Sequence, residues 1–137
     1  MKTKVGVIVW AIDPEGEIRF LLRHNKPFDG YKDEWTIVFG TCEDEKLEQA
    51  AIREVGEELG INDFEKIENL NYQIRYQDVE EIEIHFFAIK VRNIDIKISL
   101  NEESIGYDWM TKEEVKDKLI HSDELAAFDK VNFLYKL

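Results

Sequence analysis

Three glutamates, Glu54, Glu57 and Glu58, stand three and four positions apart within Arg53-Glu-Val-Gly-Glu-Glu-Leu-Gly-Ile61. On a helix this spacing gathers their carboxylates within an arc of roughly 100°. Leu47, Ala51, Val55 and Leu59 form the apolar stripe of the same helix, and Glu58 falls at its edge. Like charges at these separations weaken a helix, and a half-buried carboxylate costs more still unless it is paired. A bound divalent cation removes the conflict. Hard oxygen ligands on a rigid element suit Mg2+, with Mn2+ as an alternative, and such an ion shares its remaining positions with water and phosphate oxygens. The competing reading on spacing alone is a solvated acidic face in an acid-rich chain.

The surrounding pattern predicts the elements that must position these acids. Residues 4–12 form an apolar, β-branched run suited to a strand buried on both faces. After the turn Asp13-Pro-Glu-Gly16, Ile18, Phe20 and Leu22 alternate with Arg19 and Arg23 as the second arm of a hairpin. Residues 24–34 read as a polar loop and Trp35–Val38 as a short strand. Residues 45–59 read as the helix, with Gly60 as its left-handed cap. Alternation predicts further strands around residues 72–76, 82–88, 94–98 and 105–109. Thr111-Lys-Glu-Glu114 is a capping box, and Ser122 is expected to cap a last amphipathic helix ending near Tyr135. The sum is an α/β chain with a mixed sheet and helices packed against it.

Glu45, the seven residues after it, and Arg53-Glu-Val-Gly-Glu-Glu-Leu-Gly-Ile61 resemble the signature of the Nudix hydrolases. That pattern is Gly, five residues, Glu, seven residues, then Arg-Glu-aliphatic-x-Glu-Glu-x-Gly-aliphatic. The departure lies upstream: only four residues separate Gly40 from Glu45, and Val38-Phe39 stands where many relatives have Pro-Gly. The resemblance implies an α/β/α sandwich spanning residues 1–137 as one domain. It also implies that Glu54, Glu57 and Glu58 hold the metal, with the Gly40 carbonyl and Glu103 as further candidate ligands. Arg53 would orient the carboxylates through Glu45. Glu54 or Glu57 would be the general base for water attack on phosphorus, which cuts a diphosphate linkage.

Two further stretches extend the likeness. Trp35-Thr-Ile-Val-Phe-Gly-Thr-Cys-Glu43 is similar to the Trp-x-x-Val-x-Gly-x-x-Glu approach of the dATP and dihydroneopterin triphosphate pyrophosphohydrolase branch. Glu103-Ser-Ile-Gly-Tyr-Asp-Trp109 is similar to that branch's Glu-His-x-x-Tyr-x-Trp element, with Ser104 in place of His. The resemblance therefore implies a triphosphate substrate cut to the monophosphate and pyrophosphate, with a dinucleoside polyphosphate as the alternative. A non-catalytic nucleotide sensor on the same fold is the rival from another class. Arg23 is the candidate phosphate-binding cation, with His24, Lys26 and Lys32 as weaker ones; Trp35, Tyr72 and Tyr76 are candidates to stack on a base, though aromatics at strand spacing also build cores.

Composition bounds the partners. The 137 residues carry 30 acids against 18 bases, a formal charge of -12, which would repel a nucleic-acid polymer. The lone Cys42 makes no internal disulfide, and its expected role is that of a small apolar filler. The first apolar run ends in turn residues rather than a cleavage site. These features favour a cytoplasmic protein, a monomer or homodimer, with a small nucleotide substrate and no membrane partner. His85, inside an alternating strand, is expected to face solvent or a neighbouring acid.

Overall fold

The computed structural model describes residues 1–25, 34–77, 79–119 and 122–136, with side chains except at Ser122, Phe133, Tyr135 and Lys136. Lys26 and Lys32 lie outside the described residues. Among the described residues, seven strands form one sheet: β1 Lys2–Ile12, β2 Ile18–Asn25, β3 Glu34–Thr36, β4 Val38–Thr41, β5 Lys66–Gln77, β6 Glu81–Lys90 and β7 Ser104–Met110. The helices are α1 Leu47–Leu59, α2 Lys112–Lys118 and α3 Leu125–Lys136, the last preceded by a 3-10 turn, Ser122–Glu124.

Strand β1 runs parallel to β6 and changes partner along its other edge. Its residues Lys4–Val7 pair with β4, and Val9–Ile12 pair with β2. Strand β2 then continues past this exchange to pair with β3 and β7. The sheet is therefore mixed.

Alternation along β1 supplies both cores, which is why its run is apolar without interruption. Val5, Val7, Val9 and Ala11 face α1, meeting Ala50, Ala51, Val55 and Leu59. Ile8 and Trp10 face the other way, in the core that contains Val115 of α2 and Ala127, Phe128 and Val131 of α3. Helices thus cover both faces, the expected α/β/α sandwich. None of the described helices is long and apolar enough to cross a membrane.

Four expectations about elements are corrected. Trp35–Val38 is split at Ile37, so Thr36 ends β3 and Val38 begins β4. The loop expected over 24–34 is shorter, since His24 and Asn25 belong to β2 and Glu34 to β3. Helix α1 begins at Leu47, because the Glu45 amide bonds back to the Glu43 carbonyl and the Lys46 amide to Gln49 Oε1. The alternating Ile94, Ile96 and Ile98 make no strand. They pack on the α1 side through a turn at Ile94–Ile96 and the irregular stretch after it, and the amides that follow serve another purpose: Ser99 N donates to the Leu59 carbonyl at 2.8 Å, and Asn101 N to that of Glu58 at 3.3 Å. Those carbonyls lie in the last turn of α1, where no further helical amide reaches them.

Candidate functional site

Strand β4 passes beside α1, and Gly40 makes the approach possible. A Cβ built at Gly40 would lie 1.9 Å from Glu54 Cδ, so the Glu54 carboxyl occupies the space that any side chain there would need. Gly60, at φ 69°, ends the helix in the left-handed region as expected, and its amide donates to the Gly56 carbonyl.

Arg53 ties these elements together. Its Nη2 donates to Glu45 Oε1 at 2.6 Å and to the Thr41 carbonyl at 3.0 Å; its Nη1 donates to Glu54 at 2.9 Å and to Glu57 at 3.3 Å. The shortened turn between Gly40 and Glu45 therefore still delivers Glu45 to Arg53. This bond holds the Glu45 carboxyl below the ordinary carboxylate range and raises the guanidinium further. Glu57 remains more than half exposed.

Glu54 and Glu58 are each 8% exposed. Burial pushes both carboxyls up, Glu58 to about 7, and nearby Glu57 adds to the effect on each. Arg23 Nη2 stands 3.3 Å from Glu58 Oε2. That ion pair is off the hydrogen-bonding line, so this buried oxygen has no hydrogen-bond partner. Such an oxygen is costly unless something binds it.

Arg23 is itself 5% exposed and inside β2. Its Nε donates to the Ile37 carbonyl at 3.4 Å, and its Nη1 reaches Ser104 Oγ at 3.5 Å, whose hydroxyl donates to Asn25 Oδ1. Ser104, notable in sequence only as a departure from His, thus helps hold the arginine. Glu103 beside it is 71% exposed and 3.9 Å from Arg23.

A cavity of about 320 Å³ opens next to this centre, lined by Arg23, Asn25, Trp35, Phe39, Tyr76 and Glu124 among others. Arg23 belongs to both places. Trp35 is stacked on His24, with centroids 4.5 Å apart and planes 11° from parallel. Tyr76 lines the cavity while its hydroxyl donates to Asp123 Oδ2 at 3.2 Å. Tyr72 donates to the Asp123 carbonyl instead and leans on core Phe86. His85 meets a neighbouring acid, Glu83, at 2.6 Å. Glu124 escaped the sequence reading: buried acids are rare, but nothing in Ser122-Asp-Glu distinguishes a buried glutamate from a helix-start acid.

The donor set suits a hard divalent cation in its chemistry: only oxygens, three carboxylates on one helix, and one buried carboxylate oxygen lacking a hydrogen bond. As they stand, no three His, Cys, Asp or Glu side chains among the described residues converge tightly enough to cage an ion. Arg53 engages Glu54 and Glu57 through a single nitrogen.

The NUDIX domain family model matches residues 2–130, and the chain belongs to the Nudix hydrolase family. No curated protein sequence matches it. Among solved structures it is similar to a C. elegans Ap4A hydrolase in a binary complex, at 21% identity over 100% of both chains with a TM-score of 0.82. It is also similar to the E. coli dihydroneopterin triphosphate pyrophosphohydrolase, at 19% identity over 93% of this chain and 92% of that one, TM-score 0.77. A third likeness is to the NUDIX domain of Shewanella oneidensis NrtR complexed with ADP ribose, at 14% identity over 97% and 87% of the two chains, TM-score 0.77. At such identities the likeness is one of fold.

Proposed function

We propose that the chain is a magnesium-dependent hydrolase that cleaves a diphosphate linkage of a nucleoside triphosphate or related nucleotide, releasing the monophosphate and pyrophosphate. The observation that carries this reading is the adjacency of the α1 carboxylates and Arg23 to an aromatic-walled cavity. Glu54, Glu57 and Glu58 would hold Mg2+, or Mn2+, with the Gly40 carbonyl and Glu103 as further oxygen donors. A bound ion supplies neutralisation of phosphate charge and a more acidic water. Arg53 orients Glu54 and Glu57, and Glu45 fixes Arg53. Glu57, the most exposed of these three acids, would take the proton from attacking water at its carboxylate, with Glu54 as the alternative base. Arg23 binds phosphate oxygens at the junction of centre and cavity, and Trp35 and Tyr76 wall the space for the base. The lone Cys42, which makes no internal disulfide, favours the cytoplasm as its compartment.

Dinucleoside polyphosphate hydrolysis is the second reading, favoured by the likeness to the C. elegans Ap4A hydrolase over the whole chain. A nucleotide panel with Mg2+ separates the two by products: pyrophosphate from a triphosphate, ATP and AMP from diadenosine tetraphosphate. Glu57→Gln should lower turnover at least about a hundredfold with the fold intact by circular dichroism. Unchanged turnover would remove Glu57 from the chemistry, and a nucleotide bound but never cut would point to a sensor instead.

A further inference from the structure

Glu124 is 5% exposed, yet it lines the cavity. No described residue donates a hydrogen bond to its carboxyl or forms an ion pair with it. Its position is firmly set. Tyr72 and Tyr76 of β5 both bond to the preceding Asp123, which pins the 3-10 turn against the sheet. The walls beside it are aromatic and aliphatic: Trp35, Phe39, Tyr76, Ile84 and Leu119. Its carboxyl is not sealed off from the cavity, so a molecule entering there can reach it and supply the matching hydrogen bonds.

The charges facing it decide which hydrogen bonds it offers. Burial, together with Asp123 and Glu34 opposing its ionisation, pushes the carboxyl up to about 7. Two cations also line the cavity: Arg23, already paired with Glu58, and Lys4 on β1. The carboxyl is therefore about half protonated at neutrality and mostly so at pH 6, and its acid form presents one O–H donor beside one C=O acceptor. Their complement is an acceptor beside a donor.

Building on the nucleotide reading above, we propose that Glu124 is the specificity-determining residue of the cavity, its carboxyl pairing with a heterocycle edge that carries a ring nitrogen beside an exocyclic amino group. Adenine and cytosine present that edge. Guanine presents two adjacent donors, which match an ionised carboxylate instead. A cyclic pair of hydrogen bonds of this kind discriminates by about 10- to 100-fold.

The test is equilibrium binding of AMP and GMP to the full chain by calorimetry, without metal, at pH 6 and pH 8.5. Reading the ratio of the two affinities cancels the titration of the shared phosphate. In the native protein AMP should bind at least about tenfold tighter at pH 6, and the ratio should fall about tenfold by pH 8.5 as Glu124 ionises. Glu124→Gln keeps a donor beside an acceptor, so it should retain the preference and lose the pH dependence. Glu124→Leu should abolish the preference. A native ratio near one, a preference surviving in Glu124→Leu, or no AMP binding at millimolar concentration overturns the assignment, whether or not hydrolysis proceeds. The predicted ratios in a protein that cuts no nucleotide would uphold it and count against the hydrolytic reading alone.

Discussion

Arg53 is the residue on which the local geometry converges. It spans the Thr41 carbonyl at the end of β4, Glu45 before α1, and Glu54 and Glu57 on α1 itself. Lysine has one nitrogen where this arrangement uses three, so Arg53→Lys is not conservative here. The pair with Glu45 also has a pH signature. Because Arg53 holds the Glu45 carboxyl below its ordinary value, the stabilisation is present above the unfolded value and is lost as pH falls through the depressed folded one. Arg53→Ala should therefore lower the melting temperature most near neutrality, and the gap to the native protein should narrow as pH falls below the ordinary carboxylate range. A gap that stays constant with pH would show that the lost contribution is packing rather than the ion pair. The contacts of Arg53 were legible because its partners lie within the same motif. Those of Arg23 were not: Glu58, Ser104 and Ile37 reach it from elsewhere in the chain, and only the folded sheet brings them together.

At the scale of elements, the functional arrangement depends on how closely β4 runs beside α1. Gly40→Ala would drive a methyl group into the Glu54 carboxyl, since the new Cβ would sit 1.9 Å from Cδ. The side chain can swing aside, so the fold should survive while the carboxylate is displaced. A displacement of about 1 Å costs on the order of a hundredfold in rate. Steady-state kinetics on Gly40→Ala should show that loss with a nearly native melting temperature; native turnover would mean that Glu54 need not sit where it does. Helix α1 itself was readable because its apolar residues recur every fourth position and Gly60 closes it. The segment holding Ile94, Ile96 and Ile98 was misread for a related reason. Alternation reports that one side is buried, not that a neighbouring strand is available, and here the backbone amides cap α1.

The whole molecule is a partitioned sheet with a helix layer on each face, and the candidate site lies where β1 changes partner and β2 runs on between β3 and β7. The continuous apolar run of β1 foretold burial on both faces. It could not foretell the cavity, which needs β1 through β6 and the 3-10 turn to meet. Nor could a net charge of -12 reveal that Glu58 and Glu124 are buried acids on different elements. The proposed function requires the α1 carboxylates to hold a divalent ion. Titrating the protein with Mn2+ and following free ion by electron paramagnetic resonance tests it without requiring a substrate. The native chain should bind Mn2+, and Glu54→Gln/Glu58→Gln should weaken that binding at least about tenfold while remaining folded. Equal Mn2+ affinity in the two proteins would mean that these carboxylates do not hold the ion.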